Sequence, residues 1–369
     1  MTAVLIIIGV IALFSFIEAV FAIGIMAGSN ELVEKKGFKY TVIIAARNEA
    51  ESIRACIQSV LRQSITPAAI IVVDDHSEDE TLNIIQSLAR ENPLVVGLSN
   101  GRDETGKRAA IMKGIAAADT DVILTTDADC IVDCDWAASL YSKFSDKKKL
   151  ISGPVITQSS GFRNAAEYAE SLFLVGVGAG AAEQGLMFQA SGANMIFWKN
   201  DFSDFYKSAV GAGFKCGDDV FFLQHIQKKF GTKATGFCNN AGAAVITKPC
   251  NSIKSWVLQR VRWAGKSRGY SGLLPFLIGS LVALSNAALV AALVLFFIFP
   301  DLRFFIVPGI ALKIMGDALV LFSAAFSWKA PVKIIPFFIL PLLYPFFLLT
   351  IGITMLLHKN KVWKGREIR

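Results

Sequence analysis

"DVILTTDADCI", residues 121–131, is an apolar run that ends in two acidic residues, Asp127 and Asp129, one position apart. Side chains alternate between the two faces of a strand, so these carboxylates leave the end of a strand on the same side. Like charges held together repel each other unless a cation lies between them. A lone Asp-x-Asp is more often a simple acidic turn, so the surrounding sequence decides between a turn and a cation site.

Three further apolar runs precede this one, and segments with helical spacing separate them. The predicted strands cover residues 40–46, 69–75, 93–99 and 121–127, and the predicted helices cover residues 49–64, 78–91 and 106–118. Strands that alternate with helices predict an α/β domain with a mainly parallel sheet and right-handed crossovers. Ligands of such sheets bind at the carboxyl ends of the strands. Polar clusters occur there, which predicts a single site formed by residues 47–49, 74–76 and 127–129.

The composition is too apolar for an ordinary soluble protein. Hydrophobic residues make up 53% of the 369 residues, and the mean hydropathy is +0.50. Residues 2–26 are long enough for one membrane helix, and three more long apolar segments cover residues 273–299, 304–326 and 334–357. The charge-free stretch at residues 171–182 is too short to span a bilayer, so we expect a buried or interfacial helix there.

The chain is expected to divide into five parts. They are an N-terminal transmembrane helix (1–30), a soluble domain (37–250), an interfacial amphipathic helix (251–270), a C-terminal membrane region (271–358) and a basic tail (359–369). No Lys or Arg precedes Lys35 and several basic residues follow it, which predicts an outside N-terminus and a cytoplasmic domain. The formal charge of +7 suits the cytoplasmic face of an anionic membrane, so nucleic acid is not needed as a partner.

Charged residues within the apolar segments and after the last of them lead to two further predictions. The basic tail also favours the cytoplasm, so the prolines within residues 336–345 are interpreted as a broken or re-entrant last segment, which gives an even number of crossings. Lys313 and Asp317 stand i,i+4 on one helix face, and Glu18 is expected to pair with another intramembrane charge. The six cysteines form no CxxC, so free thiols are expected and no zinc pattern arises.

Outside the Asp-x-Asp, acidic and basic residues at element ends are candidates for chemistry. Asp218 and Asp219 open an amphipathic helix, where the helix dipole alone favours acids, but one of them could also serve as a general base for an acceptor hydroxyl. Of the pair Asp74-Asp75, one acid can cap the next helix while the other accepts hydrogen bonds from a nucleobase. Lys107 begins a helix whose backbone N–H groups could also hold a diphosphate.

The segment "NSIKSWVLQRVRWAGKS", residues 251–267, predicts an amphipathic helix with two different faces. One face is apolar and is expected to lie in the bilayer boundary; it contains Ile253, Val257, Val261 and Ala264. The other face contains Gln259, Arg262 and Trp263, which offer a fork for phosphate oxygens beside a flat apolar ring that suits a sugar. An ordinary amphipathic helix with a snorkelling Arg is the alternative interpretation.

Four motifs occur in a fixed order, namely Asp74-Asp75, Asp127-Ala128-Asp129, Gly217-Asp218-Asp219 and Gln259-Arg260-Val261-Arg262-Trp263. In this order they resemble the membrane-bound, inverting family 2 glycosyltransferases, which include cellulose, chitin, hyaluronan and poly-N-acetylglucosamine synthases and ceramide glucosyltransferases. The resemblance covers about residues 38–270 and the flanking membrane helices. It implies a GT-A nucleotide-diphospho-sugar transferase fold, a UDP-sugar donor, a lipid or glycan acceptor, and Mg²⁺ or Mn²⁺ as the cofactor.

The resemblance also assigns expected roles to single residues. Around the donor nucleotide and diphosphate it implies Arg47, Glu49, Asp75, Lys107, Asp127, Gln259 and Arg262. It implies Asp129, together with Asp127, as metal ligands, and Asp219 as the catalytic base with Asp218 beside it. Near the sugar and the acceptor it implies Trp263 and, from the segment at residues 191–199, Gly192 and Asn194. His76 departs from the pattern, since Gly or Asn is common after the acid pair.

The expected function is transfer of one sugar, or a few, from a UDP-sugar to a hydroxyl of a lipid or lipid-linked acceptor. We expect a multi-pass protein of the inner membrane whose catalytic domain contacts membrane lipids at the cytoplasmic face. A small processive synthase of an exported glycan is an alternative, although the membrane segments are few for a polysaccharide channel. A non-catalytic membrane scaffold is the alternative of another class, and a transporter fits the large soluble domain poorly.

Overall fold

The computed structural model describes residues 1–28, 38–159, 164–208, 218–265, 269, 273–357, 361–363 and 366–368. Its helices are α1 Thr2–Gly28, α2 Ile53–Leu61, α3 Thr81–Glu91, α4 Lys107–Ala117, α5 Trp136–Lys143, α6 Ala165–Glu183, α7 Lys199–Lys207, α8 Asp218–Phe230, α9 Ile253–Gly265, α10 Leu273–Ile298, α11 Arg303–Ser327 and α12 Ile334–Leu357. Its strands are β1 Tyr40–Ala46, β2 Ala69–Asp74, β3 Val95–Ser99, β4 Val122–Asp127, β5 Cys130–Val132, β6 Leu150–Ser152, β7 Val155–Thr157, β8 Met195–Trp198, β9 Thr235–Phe237, β10 Val245–Thr247, β11 Lys361–Trp363 and β12 Arg366–Ile368.

The central sheet has seven strands in the order β3-β2-β1-β4-β8-β6-β9. β1 is parallel to both β2 and β4, and β2 is parallel to β3, whereas β8 is antiparallel to both of its neighbours. A second sheet of three short strands has the order β5-β10-β7. The four predicted strands and the three helices between them are therefore confirmed, as is the α/β class with a mainly parallel sheet.

Both faces of the central sheet are covered, which explains why its first strands are continuous apolar runs. Val42 and Ile44 point to one face, where they pack with residues of α2 such as Ile57. Ile43 points to the other face and packs with Ile115 of α4, in a cluster that includes α8. With both faces filled by side chains, the ends of the strands are the places left for a ligand.

Four helices are long and apolar enough to cross a membrane: α1, α10, α11 and α12. Helix α6 contains the stretch expected to be buried, and it packs against α1 and α11, with Ala179 in the same apolar cluster as Ile25 and Val320. The expected broken or re-entrant last segment is wrong, because α12 is one continuous helix with Pro341 and Pro345 inside it. Phe337 and Leu340 of α12 are buried in the apolar cluster that also contains residues of α6 and α11.

Three charged side chains lie together among the apolar helices, as expected for Glu18. The Lys313 ammonium is 3.3 Å from a Glu18 carboxylate oxygen and also contacts Asp317, and all three side chains are buried. A single cation thus joins α1 to α11, where an isolated charge would be costly.

The crossing of α1 and α6 supplies a stability prediction, because these helices approach each other at Gly180. A Cβ added there would lie 2.5 Å from both the Cβ and the carbonyl oxygen of Phe21. We expect Gly180→Ala to destabilise the protein by about 1–3 kcal/mol, as overpacking does in close-packed interiors. The measurement is the thermal unfolding midpoint in detergent.

Gly279→Ala on α10 is the matched control, since nothing lies within 4 Å of the added Cβ. Alanine has the higher helix propensity by about 1 kcal/mol, so this variant should unfold at the same temperature or slightly higher. Equal losses in the two variants would show that the close approach at Gly180 has been misread.

Candidate active site

The parallel pairing brings the ends of β1, β2 and β4 to one edge of the central sheet. Ala46 lies opposite Asp74 on one side, and Ala45 lies opposite Asp127 on the other. The residues that follow these strands therefore begin side by side. This geometry gathers residues 47–49, 74–76 and 127–129, as the alternation of strands and helices predicts.

Asp75 lies at this edge with 1% of its surface exposed. One of its carboxylate oxygens accepts hydrogen bonds from the Asn100 side-chain amide and from the Gly106 backbone N–H, both at 2.9 Å. Asp74 instead accepts a hydrogen bond of 3.1 Å from the Ser77 backbone N–H within its own loop. Sequence reasoning missed Asn100, although its position directly after β3 places it at the same edge of the sheet.

Arg47 shapes the loop that follows β2. Its guanidinium donates hydrogen bonds to the backbone carbonyls of Asp75 and His76, at 2.8 and 2.7 Å, and to the exposed Glu78 carboxylate at 3.0 Å. His76 has φ 54°, a left-handed conformation that Gly and Asn adopt more easily, so the departure noted in the sequence keeps the same backbone shape. The hydrogen bonds of Arg47 therefore fix the conformation of this loop. Nearby, Glu49 donates its backbone N–H to the Thr81 hydroxyl.

Four of the predicted residues form one polar cluster: Lys107, Asp127, Gly192 and Asp219. The Lys107 ammonium is bonded to the Asp127 carboxylate, and the Gly192 backbone N–H donates to Asp219 at 3.3 Å. A Cβ on Gly192 would lie 3.8 Å from the Lys107 nitrogen and 3.9 Å from the Asp219 Cβ. Gly192 thus lies between the pair of Lys107 with Asp127 and the Asp219 carboxylate. Residues from β4, α4, α8 and the loop before β8 thereby meet at one point.

The charges in this cluster are strongly coupled. Burial acts to lower the pKa of Lys107, but Asp127, followed by Asp219 and Asp129, raises that pKa to about 12. Lys107 is therefore a fixed positive charge at neutral pH. It lies at the start of α4, where the backbone N–H groups add their partial positive charge.

The oxygen ligands at the edge fit a hard divalent cation. A carboxylate oxygen of Asp129 accepts a hydrogen bond of 3.2 Å from Thr247, and burial together with the charges of Asp129 and Asp127 raises the pKa of the nearby thiols of Cys56 and Cys130. These thiols therefore stay protonated and do not compete as soft ligands. Carboxylate oxygens are the ligands that Mg²⁺ and Mn²⁺ prefer, so the donor set suits the expected cofactor.

The two acids that open α8 have different surroundings. Asp218 forms an ion pair of 3.3 Å with Arg108 of α4, and the guanidinium also lies over the rings of Phe205 and Tyr206. Asp219 contacts Gly192 in the polar cluster. Asp218 therefore attaches α8 to α4, and its expected place beside the catalytic base stays a prediction. Gly217 of the same motif lies outside the described residues.

The expectation for Asn194 needs a correction. This residue is fully buried: its carbonyl accepts from Trp136 Nε1 at 2.9 Å, and its amide donates to the carbonyls of Pro154 and Ala243, both at 2.8 Å. Its side chain is thus committed to the protein and does not reach a sugar.

Helix α9 carries the last motif and is covered differently from the expectation. Its apolar residues Val257 and Val261 pack against Ile351 of α12, so this face is not directed to lipid, and Ile253 at its start is 72% exposed. Trp263 is 43% exposed. The residue that sequence reasoning passed over is Arg260, which is buried and paired with Glu170 of α6. The available signal for Glu170 was an acidic residue directly before the charge-free stretch at residues 171–182 of α6.

Comparisons with known proteins show which class of proteins this chain resembles in sequence and in fold. The profile of glycosyl transferase family 2 matches residues 41–206. A poly-beta-1,6-N-acetyl-D-glucosamine synthase of Staphylococcus aureus is 32% identical over 111 residues, which are 30% of this chain and 26% of that protein. An undecaprenyl-phosphate 4-deoxy-4-formamido-L-arabinose transferase of Pseudomonas fluorescens is 37% identical over 93 residues, which are 24% of this chain and 27% of that protein. The chain thus aligns with about a quarter of the length of these relatives.

A mannosyltransferase of Pyrobaculum calidifontis, solved in complex with GDP-Man and Mn²⁺, has a similar fold. The two structures superpose with a TM-score of 0.56 over 97% of this chain and 99% of that chain, at 16% sequence identity. The fold is therefore that of the GT-A glycosyltransferases. The chain contains a glycosyl transferase family 2 domain.

The corrected role of Asn194 gives a prediction. Asn194→Ala leaves Trp136 Nε1 and the Ala243 carbonyl without this partner, and it removes one of two donors to the Pro154 carbonyl, which keeps the Val245 N–H. We therefore expect a loss of about 3 kcal/mol of unfolding free energy. Asn83→Ala, which removes an exposed amide bonded to Glu80, is the control and should cost little. Chemical denaturation in detergent measures both. If Asn194→Ala were as stable as the control, its amide would not hold this loop.

Proposed function

We propose that this chain is an inverting glycosyltransferase. It moves a sugar from a nucleotide diphosphate donor, preferentially a UDP-sugar, to a hydroxyl of a lipid or lipid-linked acceptor at the cytoplasmic face of the inner membrane. The observation that carries the proposal is the cluster of Lys107, Asp127, Gly192 and Asp219 at the strand ends of a family 2 domain. An ammonium group, two carboxylates and a glycine that leaves space beside them meet there. Such fixed charges can stabilise the charge that develops when a sugar leaves a diphosphate.

The donor occupies the edge from β2 to α4. In this proposal Asp75, whose carboxylate is held by Asn100 and Gly106, accepts hydrogen bonds from the N–H groups of the nucleobase. Lys107 and the first N–H groups of α4 bind the diphosphate, because a helix start and an ammonium both attract phosphate oxygens. Glu49 borders this edge, and Gln259 and Arg262 of α9 complete the diphosphate contacts.

Asp127 and Asp129 hold Mg²⁺ or Mn²⁺ in this proposal. The cation supplies positive charge that stabilises the departing diphosphate. The carboxylate donor set at the strand ends supports the assignment, as does the presence of Mn²⁺ in the complex of the mannosyltransferase with the similar fold.

Asp219 is the base. Its carboxylate takes the proton of the acceptor hydroxyl while the hydroxyl oxygen forms a bond to the anomeric carbon and the bond from that carbon to the diphosphate breaks. A single displacement from the opposite side inverts the configuration. The bond from Gly192 N–H to Asp219 holds the carboxylate in place, and a side chain at position 192 would narrow the space beside Lys107.

The acceptor is proposed to be a lipid. Four helices are long and apolar enough to span a membrane, and the Pseudomonas relative is named an undecaprenyl-phosphate 4-deoxy-4-formamido-L-arabinose transferase. Trp263 exposes part of its indole ring on α9, which suits the face of a sugar or the head of such an acceptor. The similarity to a poly-N-acetylglucosamine synthase favours a second candidate, a small processive synthase.

A donor screen tests the proposal directly. Purified protein in lipid nanodiscs is incubated with UDP- and GDP-sugars, with and without Mn²⁺, and released nucleoside diphosphate is measured alongside the size of a radiolabelled product. We expect Mn²⁺-dependent release with one donor and a lipid-extractable product of one or a few sugars. A ladder of long chains would establish the processive alternative, and no release with any donor would leave a non-catalytic scaffold.

The two acids of α8 provide a matched pair of variants. Asp219→Asn should lower the transfer rate by about 10²–10⁴-fold, the range expected for loss of a general base. Asp218→Asn should lower it far less and should mainly lower the unfolding temperature, because Asp218 is paired with Arg108. Full transfer by Asp219→Asn would remove it as the base.

A further inference from the structure

Helix α6 binds α9 through a buried ion pair between Glu170, which lies outside the four motifs, and Arg260, which lies inside the last of them. Glu170 of α6 is 1% exposed and Arg260 of α9 is 5% exposed. Arg260 Nε donates to both carboxylate oxygens, at 2.7 and 3.0 Å, and Nη2 donates to one of them. Trp256 Nε1 donates to the same carboxylate at 3.3 Å. The carboxylate thus receives donors from two successive turns of α9.

The remaining surfaces of the Arg260 guanidinium contact two residues of the last motif. Nη1 donates to the side-chain oxygen of Gln259, and the guanidinium carbon lies 4.2 Å from the centre of the Trp263 ring. Arginine only donates hydrogen bonds, so Gln259 must present its oxygen to Arg260 and direct its NH₂ group elsewhere. One face of the indole is likewise covered by Arg260, so the other face is the one presented to a ligand.

Attachment of α9 does not depend on this pair alone. Val257 and Val261 pack against Ile351 of α12, and the Trp256 ring stacks on Phe347 with centroids 4.2 Å apart. Glu167, one turn before Glu170 on α6, accepts the Cys250 backbone N–H with both oxygens, at 3.0 and 3.1 Å. A buried ion pair adds little net stability but is well suited to fix one orientation.

We propose that Glu170 and Arg260 are positioning residues for the donor site, which set the amide orientation of Gln259 and the ring plane of Trp263. The inference rests on the proposed sugar transfer. In it, the NH₂ of Gln259 faces the donor diphosphate, and Trp263 presents its uncovered face to the acceptor. Because α6 is packed among α1 and α11, the pair also ties the orientation of these two side chains to the membrane helices.

The double variant Glu170→Met/Arg260→Met separates positioning from stability. Replacement of both partners by apolar side chains leaves no unpaired buried charge, so the unfolding temperature should stay near that of the unchanged protein. Gln259 and Trp263 lose their common partner, and misplacement of such contacts is expected to lower kcat/KM for the donor by about a hundredfold. Arg260→Lys keeps the charge but loses the planar fork, so it should also transfer poorly.

Glu167→Gln is the matched control, since it removes a carboxylate from the same face of α6 but leaves an oxygen to accept the Cys250 N–H. It should transfer at the unchanged rate. The single variant Glu170→Gln should lose both stability and transfer, because the charge of Arg260 is then uncompensated.

The outcomes separate the two proposals. Transfer by the folded double variant at the unchanged rate makes the pair purely structural and overturns the inference, while sugar transfer stands. If the double variant does not fold, Arg260→Lys decides, and unchanged kcat/KM in that variant overturns the inference equally. Absence of transfer by the unchanged protein with every donor removes the proposed function, and the inference with it.

Discussion

The parallel pairing of β1 with β2 on one side and with β4 on the other is the constraint on which the rest of the structure depends. Each strand alternates buried side chains between two filled faces, so a shift of one residue would exchange Val42 and Ile44 with Ile43. The same shift would move Asp127 away from Ala45. The apolar core thus fixes which polar residues emerge together, and the site inherits its geometry from packing.

Gathering acids at one edge carries an electrostatic cost, and the structure offsets it residue by residue. Asp75 receives neutral N–H donors, Asp218 receives Arg108, and Lys107 is bonded to Asp127. The pKa of Lys107 is raised by Asp127, Asp219 and Asp129, so one ammonium balances several carboxylates. The excess of negative charge at this point supports the proposed divalent cation and the proposed removal of a proton.

Much of the fold could be predicted from the sequence because its signals are local. Strand β1 matched its apolar run residue for residue, and the continuous runs with helices between them could only form a covered parallel sheet. The prolines of α12 predicted a broken segment, but they lie inside one helix. Tertiary contacts of the buried Phe337 and Leu340 outweigh the local preference of proline to end a helix. The positions of Asp75 and Asp127 at one edge of the sheet were also predictable, because the parallel register of the strands decides them.

Long-range partners were out of reach for the sequence. The side chain of Asn194 bonds to Trp136 and to two backbone carbonyls, and Asp218 pairs with Arg108. Both sets of contacts join elements that are far apart in the sequence. No spacing rule distinguishes the two adjacent acids of α8, since the helix dipole favours both. Their separation follows from a rotation of about 100° per residue along α8, which turns one acid to α4 and the other to Gly192.

Helix α6 connects the long apolar helices to α9, which carries the last motif. It lies in sequence between Asp129 and Asp219, yet it packs against α1 and α11. A tether would need no buried charge, since apolar contacts alone would hold it. Instead, the Glu167 carboxylate accepts the Cys250 backbone N–H, and the Glu170 carboxylate pairs with Arg260. Buried charges of this kind favour one arrangement over near neighbours, so the ion pair of Glu170 with Arg260 favours one orientation of α9 against α6.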